Sequence, residues 1–210
     1  MKFDFLTIEG NIGSGKTSLS EKIASDFNGK LILEEFADNP FLPKFYKDPE
    51  KYSFSLELFF MSERYHQLKD KISSDLFFNN KISDYFFMKS RIFAKTNLQR
   101  DELLLFEKLF DIMLASLPAP DLLVYLHSDI KRLQSNIRKR GRDYEQNIKD
   151  SYLESIQEAY FDYLKKQNKS AVLIIDITNV DFVDDLDIYN EVKRLISKKY
   201  TIGSTDKIIL

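Results

Sequence analysis

Short apolar runs alternate along the chain with longer stretches in which apolar residues recur at helical spacing. The short runs are rich in Ile, Leu, Val or Phe, as strands covered on both faces are, and they lie at 3–8, 31–35, 81–85, 122–127 and 172–177. The longer stretches predict helices at 17–27, 52–72, 101–117, 130–139, 151–166 and 184–198. This alternation predicts an α/β fold: a five-stranded parallel sheet flanked by helices, with ligands at the carboxyl ends of the strands.

Composition limits the class of protein. No linker, repeat or low-complexity tract divides the 210 residues, so we expect one domain over residues 1–210. The formal net charge of −2 argues against nucleic acid as a partner. Since the chain has no Cys, disulfides, a thiolate nucleophile and Cys-based zinc sites are excluded. Neither a signal peptide nor an apolar run of membrane-spanning length is visible, so we expect a cytoplasmic protein without a membrane partner.

The first predicted strand and the first predicted helix enclose the run Gly10-Asn11-Ile12-Gly13-Ser14-Gly15-Lys16-Thr17. This is the G-x-x-x-x-G-K-[ST] pattern in the strand–loop–helix context that a phosphate-binding loop (P-loop) requires. Glycines let backbone N–H groups turn towards a phosphate, and the helix N-terminus adds partial positive charge. The pattern predicts an ATP site in which Lys16 reaches the β- and γ-phosphates and Thr17 holds Mg²⁺. The alternative is a chance match in an ordinary strand–turn–helix.

Two adjacent carboxylates, Glu34 and Glu35, end the second predicted strand. A parallel sheet brings the end of this strand to the edge that carries the phosphate-binding loop. Transfer of a phosphoryl group to a hydroxyl needs a group that accepts or orients the hydroxyl proton. One of the two glutamates is therefore a candidate base, and the alternative is an exposed loop carboxylate.

An acid and a base share one face of the second predicted helix. Phe54, Glu57, Met61 and Arg64 follow at i, i+3, i+7 and i+10, and Tyr46 lies upstream. An ionised glutamate only accepts hydrogen bonds, whereas an arginine only donates them. Guanine offers donors at N1 and N2 and acceptors at O6 and N7, so the pair suits guanine better than cytosine, thymine or adenine. The alternative is a solvated charge pair on an amphipathic helix.

The densest basic cluster follows the fourth predicted strand. It contains Lys131-Arg132 and Arg138-Lys139-Arg140-Gly141-Arg142, and Glu145 comes shortly after. Guanidinium groups that close over a transferring phosphoryl group stabilise its negative charge, and the glycine lets the segment fold over a ligand. We expect an arginine-rich lid, and the alternative is the solvated end of a helix.

Taken together and in this order, these stretches resemble the deoxynucleoside kinase family, and within it the bacterial deoxyguanosine kinase-like members. The matching stretches are 8–17, 34–42, 45–49, 54–60, 83–85 and 138–142. The resemblance covers most of the chain, from residue 3 to about residue 183. It implies a P-loop kinase domain that transfers the γ-phosphoryl group of ATP, with Mg²⁺, to the 5′-hydroxyl of a purine deoxynucleoside, with deoxyguanosine as first choice. It also implies a homodimer packed through helices.

The resemblance assigns roles on the acceptor side position by position. Glu34 matches the general base that takes the 5′-hydroxyl proton. Tyr46 and Glu145 match the pair that holds the sugar 3′-hydroxyl. Glu57 stands where many relatives carry a base-reading glutamine, and a carboxylate there fits the two donors of guanine. Arg64 is implied to face the acceptor edge of the base.

On the donor side, the resemblance implies that Arg140 and Arg142 are lid arginines on the phosphates, and lid charge is also expected from Arg138. The segment 179–182, which includes Asp181 and Phe182, resembles the loop that packs on the donor adenine. We therefore expect both segments at the ATP site.

The chain departs from the family's pattern at the end of the third strand. Many relatives have Glu-Arg-Ser or Asp-Arg-Ser there, and this chain has Ser83-Asp84-Tyr85. Similar deoxyguanosine kinase-like members suggest that Asp84 helps to hold Mg²⁺. Lys89 stands where pyrimidine-accepting relatives carry an aspartate, which argues against cytosine, and Lys89 or Arg91 is expected to supply the missing positive charge. A further departure, in the lid, is Asn136, where another arginine is common.

Two other functions share part of the pattern. A nucleoside monophosphate kinase, such as thymidylate kinase, has a similar loop, sheet and lid, but it must neutralise an acceptor phosphate, usually with an arginine near the third strand, where this chain has Tyr85. A non-enzymatic P-loop switch that binds guanine is expected to carry Asn-Lys-x-Asp on a later strand, and no such motif is present there. Both features favour the deoxynucleoside kinase.

Overall fold

Six parallel strands form one sheet in the computed structural model, which describes residues 2–35, 39–73 and 80–210. In chain order the strands are β1 (Phe5–Gly10), β2 (Lys30–Ile32), β3 (Lys81–Ser83), β4 (Leu122–His127), β5 (Ala171–Asp176) and β6 (Thr205–Ile209). They lie side by side in the order β2-β3-β1-β4-β5-β6. Phe36, Ala37 and Asp38, which belong to one of the matching stretches, are outside the described residues.

Helices connect the strands. They are α1 (Lys16–Asp26), α2 (Leu42–Phe45), α3 (Pro49–Ser73), α4 (Met88–Asn97), α5 (Arg100–Leu114), α6 (Ile130–Arg140), α7 (Asp150–Lys166) and α8 (Leu186–Ile196). A 3₁₀ turn, Asp143–Glu145, follows α6. None of the helices in the described ranges is long and apolar enough to cross a membrane. Two of them, α2 and α4, are absent from the helices predicted by the sequence pattern.

The sheet is buried on both faces because its strands alternate between two apolar clusters. On β4, Val124 and Leu126 join a cluster with residues of α1 and α8. Leu123 and Tyr125 point the other way, into a cluster with α7. A third cluster packs residues of α3 and α5 against Phe5 of β1 and Ile32 of the edge strand β2. The expected α/β fold with a parallel sheet flanked by helices is confirmed, whereas one domain over 1–210 stays a prediction.

The predicted number of five strands was wrong, since β6 pairs with β5 in parallel. Four of the five residues of β6 are exposed, and only its last two residues, Ile208 and Ile209, are apolar. Edge strands have one neighbour and often carry charged side chains, so β6 lacks the continuous apolar run by which the central strands are recognised.

Three strand ends place the residues of interest at one edge of the sheet. The P-loop follows β1, Glu34 follows β2, and Asp84 follows β3 directly. The Glu34 backbone N–H donates to Asp84 Oδ1 at 2.7 Å, which ties the segments after β2 and β3 together. The predicted second strand was too long at its carboxyl end, because β2 ends at Ile32 and leaves both glutamates beyond the strand.

Candidate active site

Two glycines of the P-loop have a backbone conformation that other residues rarely adopt. Gly13 has φ 84° and Gly15 has φ 83°, in the left-handed region that favours glycine. A Cβ atom at Gly13 would lie 2.7 Å from the Leu133 carbonyl oxygen, and one at Gly15 would lie 2.9 Å from Phe182 Cζ. The loop therefore needs glycine for both its φ angles and its close packing.

Two asparagines fix the P-loop to the surrounding helices. Asn11 Nδ2 donates to the Leu153 carbonyl oxygen on α7 at 2.7 Å, and Asn136 Nδ2 donates to the Gly13 carbonyl oxygen at 2.8 Å. The sequence showed Asn136 only as a missing lid arginine. The structure shows that it connects α6 to the loop.

Lys16, the P-loop lysine, lies across its own loop. Its Nζ donates to the Asn11 carbonyl oxygen at 3.0 Å. Burial, together with the Lys89 ammonium, lowers the pKa of Lys16 to about 8, although Glu9, Glu34 and Asp84 act against this. A phosphate group near Lys16 would favour its charged form, so the site is electrostatically suited to an anionic ligand.

The oxygens of Thr17 and Asp84 fit the ligand preference of Mg²⁺. Thr17 Oγ1 donates to Asp84 Oδ2 at 2.6 Å, so the two side chains predicted to hold the metal are in contact. Mg²⁺ prefers oxygen ligands and is usually held by one or two protein groups together with water and substrate phosphates. A hydroxyl and a carboxylate beside a phosphate-binding loop meet that requirement.

The Glu34 carboxylate is held between two buried cations. Arg64 Nε donates to Oε1 at 2.7 Å, and Lys89 Nζ donates to Oε2 at 2.5 Å. Arg64 NH1 also donates to Ser90 Oγ. Burial acts to raise the pKa of Glu34, but Lys89 and Arg64 outweigh it and lower the pKa to about 2. Glu34 is therefore ionised at neutral pH, and its orientation is fixed.

The neighbouring candidate, Glu35, lies elsewhere. It is exposed and pairs with Lys71 at 2.8 Å on the protein surface. The structure thus separates the two glutamates that the sequence pattern left open, and it places Glu34 in the site. Arg91 binds Glu107 and Asp111 outside the site. Of the two cations expected to supply the missing positive charge, Lys89 and Arg91, it is therefore Lys89 that lies beside Glu34.

Two clefts meet at the carboxyl edge of the sheet. One is lined mainly by α2, α3, α4 and the segment after α6, and we call it the acceptor cleft. The other lies between the P-loop, α6 and the segment after β5, and we call it the donor cleft. Six residues line both clefts: Lys16, Thr17, Glu34, Asp84, Arg140 and Arg142. All six were predicted to bind phosphate, metal or the attacking hydroxyl.

The wall of the acceptor cleft carries the predicted base-reading and sugar-binding residues. Glu57, Arg64, Tyr46, Lys89 and Glu145 all line it, between aromatic and aliphatic side chains of α2, α3 and α4. Glu57 and Arg64 are almost fully buried, so the alternative of a solvated charge pair on α3 was wrong. Arg64 Nε, however, donates a hydrogen bond to Glu34. Arg64 therefore orients the candidate base in addition to lining the cleft.

The lid contributes one face of α6 to the donor cleft. Arg132, Asn136 and Lys139 line it, and they lie at i, i+4 and i+7 on the helix. In the described part of the chain, Arg138 is exposed and lines neither cleft, because it lies about 120° around the helix from Arg132. The predicted role of Arg138 on the phosphates therefore has no support from its position.

Arg140 and Arg142 lie where the lid meets both clefts. Arg140 NH2 and Arg142 NH1 each donate to the Glu145 carboxylate. Gly141 ends α6 with φ 72°, which turns the chain so that both arginines reach the same carboxylate. The Tyr46 ring stacks on the Tyr144 ring, with the ring centroids 6.1 Å apart. Because Tyr144 directly precedes Glu145 in the chain, this contact brings the predicted sugar-binding pair, Tyr46 and Glu145, to the same part of the cleft.

The segment after β5 forms the far side of the donor cleft. Asp181 pairs with Arg132 at 3.1 Å, and the Phe182 ring is buried against Gly15 of the P-loop. Both predicted residues line the cleft. Phe182 also belongs to the apolar cluster beside α1, so it supports the loop as well as the cleft wall.

Two residues of the site were missed by the sequence analysis. Asn97, the last residue of α4, donates from Nδ2 to Glu57 Oε1 at 2.7 Å. Tyr152 on α7 lines the acceptor cleft together with Asn97. Neither lies in a recognisable motif. Their positions follow only from the packing of α4 against α3 and α7.

Comparisons with known proteins agree with this geometry. A sequence model of the family described as deoxynucleoside kinase matches residues 6–201. The chain is 37% identical over 186 residues to the deoxyguanosine kinase of Bacillus subtilis (strain 168), which covers 85% of this chain and 89% of that protein. It is 31% identical over 191 residues to the deoxyadenosine/deoxycytidine kinase of the same organism, covering 88% and 87%.

A solved structure shows the same fold. The structure of deoxyadenosine kinase from M. mycoides with bound dATP matches with a TM-score of 0.74 and 24% sequence identity. The match covers 92% of this chain and 99% of that chain.

Proposed function

Since the chain belongs to the deoxynucleoside kinase family, we propose that it transfers the γ-phosphoryl group of MgATP to the 5′-hydroxyl of a purine deoxynucleoside, with deoxyguanosine as the preferred acceptor. The observation that carries this proposal is the junction of the two clefts. A phosphate-binding lysine, a Thr–Asp oxygen pair, a carboxylate and two arginines line both of them. This is the set of groups that phosphoryl transfer from a bound nucleotide to the hydroxyl of a bound nucleoside requires.

Positioning and charge stabilisation account for most of the catalysis in this proposal. Glu34 accepts a hydrogen bond from the 5′-hydroxyl and aims its oxygen at the γ-phosphorus. The low pKa of Glu34 makes it a weak base, which suits a loose transition state in which bond formation to the attacking oxygen is little advanced. Lys16 and the lid arginines Arg140 and Arg142 stabilise the negative charge on the phosphoryl oxygens. Thr17 and Asp84 would hold Mg²⁺, which would neutralise charge on the phosphates.

Deoxyguanosine is preferred because of the carboxylate of Glu57. Its Oε2 is buried and has no hydrogen-bond partner among the described residues. Leaving a buried acceptor unpaired is unfavourable, so a ligand that brings a donor is favoured. Guanine brings two, at N1 and N2. Tyr46 and Glu145, at the lid end of the same cleft, are placed to hold the sugar.

An acceptor panel tests the proposed function. ADP release is measured with MgATP and each of the four deoxynucleosides, and in parallel with deoxyguanosine monophosphate and with no acceptor. We expect ADP release with deoxyguanosine above the other nucleosides. ADP release with deoxyguanosine monophosphate but with none of the four deoxynucleosides would support a nucleoside monophosphate kinase. ADP release that no acceptor stimulates would support a nucleotide switch.

Lys89 supplies the positive charge that the family's arginine supplies elsewhere. Lys89→Met should lower kcat roughly 10- to 100-fold, because hydrogen bonds to charged groups are worth about 1.5–3 kcal/mol and Lys89 binds the oxygen that orients the attacking hydroxyl. Lys95→Met, at an exposed position of the same helix, is the control and should keep normal kinetics. Equal kcat values for the two variants would remove Lys89 from the site. Lys89→Arg should restore part of the loss.

The exposed face of α5 supports a homodimer. Leu105 (50% exposed), Leu109 (37%) and Ile112 (73%) lie within about 60° of one another around the helix, and the buried Phe106 and Phe110 lie about 110° away from them on average. Apolar side chains grouped in this way are typical of protein–protein contacts. Sedimentation should show a dimer, and Leu105→Glu with Ile112→Glu should give a monomer. Leu186→Glu, at an exposed leucine elsewhere, should not. A monomeric wild-type protein would contradict the proposal.

The proposed phosphoryl donor agrees with a cytoplasmic location, because ATP is plentiful in the cytoplasm. The cytoplasmic location expected from the sequence stays a prediction.

A further inference from the structure

The Glu57 carboxylate is bound at one oxygen and open at the other. Asn97 Nδ2 donates to Oε1 at 2.7 Å, whereas Oε2 is buried without a hydrogen-bond partner in the described ranges. Glu57 is 1% exposed and lines the acceptor cleft. Since Asn97 is the last residue of α4, which packs against α3 and α7, its amide is held in place. The two oxygens of Glu57 are therefore not equivalent, and Oε2 is the one left for a ligand.

The surroundings leave the charge of Glu57 poorly compensated. Its nearby cations, Arg64 and Lys89, both bind Glu34 at 2.6 Å and 2.5 Å. Burial raises the pKa of Glu57 to about 7, although the Asn97 hydrogen bond and the Arg64 charge lower it. The charged and titratable groups that face Glu57 are Arg64 on α3, Glu34 after β2, Lys89 on α4, Tyr46 after α2, Tyr152 on α7, and Arg140, Arg142 and Glu145 on the lid side.

We propose that Asn97 is a specificity-determining residue that makes Glu57 a two-state purine reader, selecting guanine when Glu57 is ionised and adenine when it is protonated. This inference rests on the proposed function, because it assigns acceptors to the same cleft. The proton is taken from solvent, and no covalent bond changes.

Hydrogen-bond complementarity explains the two states. An ionised Glu57 offers only acceptors, so Oε2 and the second lone pair of Oε1 receive guanine N1–H and N2–H. Because Oε1 already accepts from Asn97, a proton added to Glu57 resides on Oε2. The acid then donates from Oε2 to adenine N1, while Oε1 accepts from the adenine amino group. Guanine N1–H opposes that O–H, and adenine N1 opposes the ionised form, so each state rejects the other base.

The selectivity of the enzyme between the two purines is measured directly by the ratio of kcat/KM for deoxyguanosine to kcat/KM for deoxyadenosine. Between about pH 8.5 and about pH 6, that ratio should fall at least about tenfold, since Glu57 passes from ionised to protonated. Both nucleosides are assayed with the same MgATP at each pH, so titration of Lys16 or of the donor cancels in the ratio. Glu57→Gln carries a fixed donor and a fixed acceptor and should give a ratio that does not change with pH.

Asn97→Ala separates a specificity role from a purely structural one. Because the Asn97 hydrogen bond lowers the pKa of Glu57, its loss should move the midpoint of the ratio's pH dependence upward, by roughly one pH unit. A variant that only loosens the fold would lower both kcat/KM values and leave the midpoint in place.

Calorimetry without ATP gives a readout that needs no turnover. In two buffers of different ionisation enthalpy near neutral pH, deoxyadenosine binding should take up protons and deoxyguanosine binding should release them, and Glu57→Gln should show neither. A selectivity ratio that is constant with pH in the wild type, or that still varies in Glu57→Gln, would overturn the inference. Failure of the protein to phosphorylate any deoxynucleoside would instead overturn the proposed function.

Discussion

Glu34→Gln is expected to lower kcat by about 10²- to 10⁴-fold, the range that general-base residues contribute, while the KM for ATP stays near the wild-type value. Glutamine keeps the shape of the side chain, and its one oxygen can still accept from Arg64 or from Lys89, but it cannot carry the negative charge that orients the 5′-hydroxyl. Steady-state kinetics with deoxyguanosine measure the effect. Glu35→Gln is the matched control, because Glu35 pairs with Lys71 at the surface, and it should keep the wild-type kcat. A Glu34→Gln enzyme with near-normal kcat would exclude Glu34 as the orienting carboxylate.

The structure also explains why Glu34→Ala is the weaker experiment. It would leave Arg64 and Lys89 buried without their shared partner, and removing one side of a buried ion pair typically costs about 3–5 kcal/mol of stability. Loss of turnover in that variant would then mix chemistry with unfolding. The isosteric amide reduces this ambiguity because it keeps the volume of the side chain and one acceptor oxygen, and thermal unfolding of both variants shows how large the stability difference is.

Asp84→Asn is expected to raise the Mg²⁺ concentration needed for half-maximal activity by roughly 100-fold, the upper end of what loss of a supporting carboxylate costs a metal site. The amide lacks the charge that attracts the metal, although its one oxygen can still accept from the Glu34 N–H and its NH2 group can donate to the Thr17 hydroxyl. Activity measured against Mg²⁺ at saturating ATP and deoxyguanosine reports this.

Asp176→Asn is the control for that experiment. Asp176 also ends a strand at the same edge of the sheet, and within the described structure it lines neither cleft. Its Mg²⁺ dependence should equal that of the wild type. An unchanged Mg²⁺ requirement in Asp84→Asn would show that the metal is held elsewhere.

The parts of the site that depend on local backbone geometry could be predicted from the sequence. The P-loop is eight consecutive residues whose glycines, lysine and threonine act through backbone conformation and a helix N-terminus. The motif order gave the family, which the comparisons confirm. The Glu34–Glu35 pair was found because the carboxyl ends of parallel strands meet at one edge. The lid arginines were found because they lie in the densest basic cluster, and Asp84 was found through the family resemblance.

Helix α4 was missed for a physical reason that also makes it functional. Lys89 and Ser90 are buried, at 5% and 0% exposed, on the side of α4 that binds Glu34 and Arg64. A reading of polar residues as solvent-facing assigns them to the wrong face, so the helical pattern is lost. Functional sites are where such local rules are expected to fail.

Contacts between residues that are far apart in the chain could not be predicted from the sequence. Glu34 is 30 residues from Arg64 and 55 from Lys89, and nothing in their spacing predicts that they form one buried cluster. The same holds for Glu57 and Asn97, which are 40 residues apart. These pairs follow from how α3 and α4 pack beside β2 and β3.

A crystal structure of the protein with deoxyguanosine, Mg²⁺ and a non-hydrolysable ATP analogue tests the central claim most directly. The quantity to measure is the distance from the Glu34 carboxylate to the sugar O5′. We predict about 2.6–3.2 Å, hydrogen-bond reach, with O5′ aimed at the γ-phosphorus across the junction of the two clefts. A deoxyguanosine whose O5′ contacts another side chain, with Glu34 out of hydrogen-bond reach, would contradict the account.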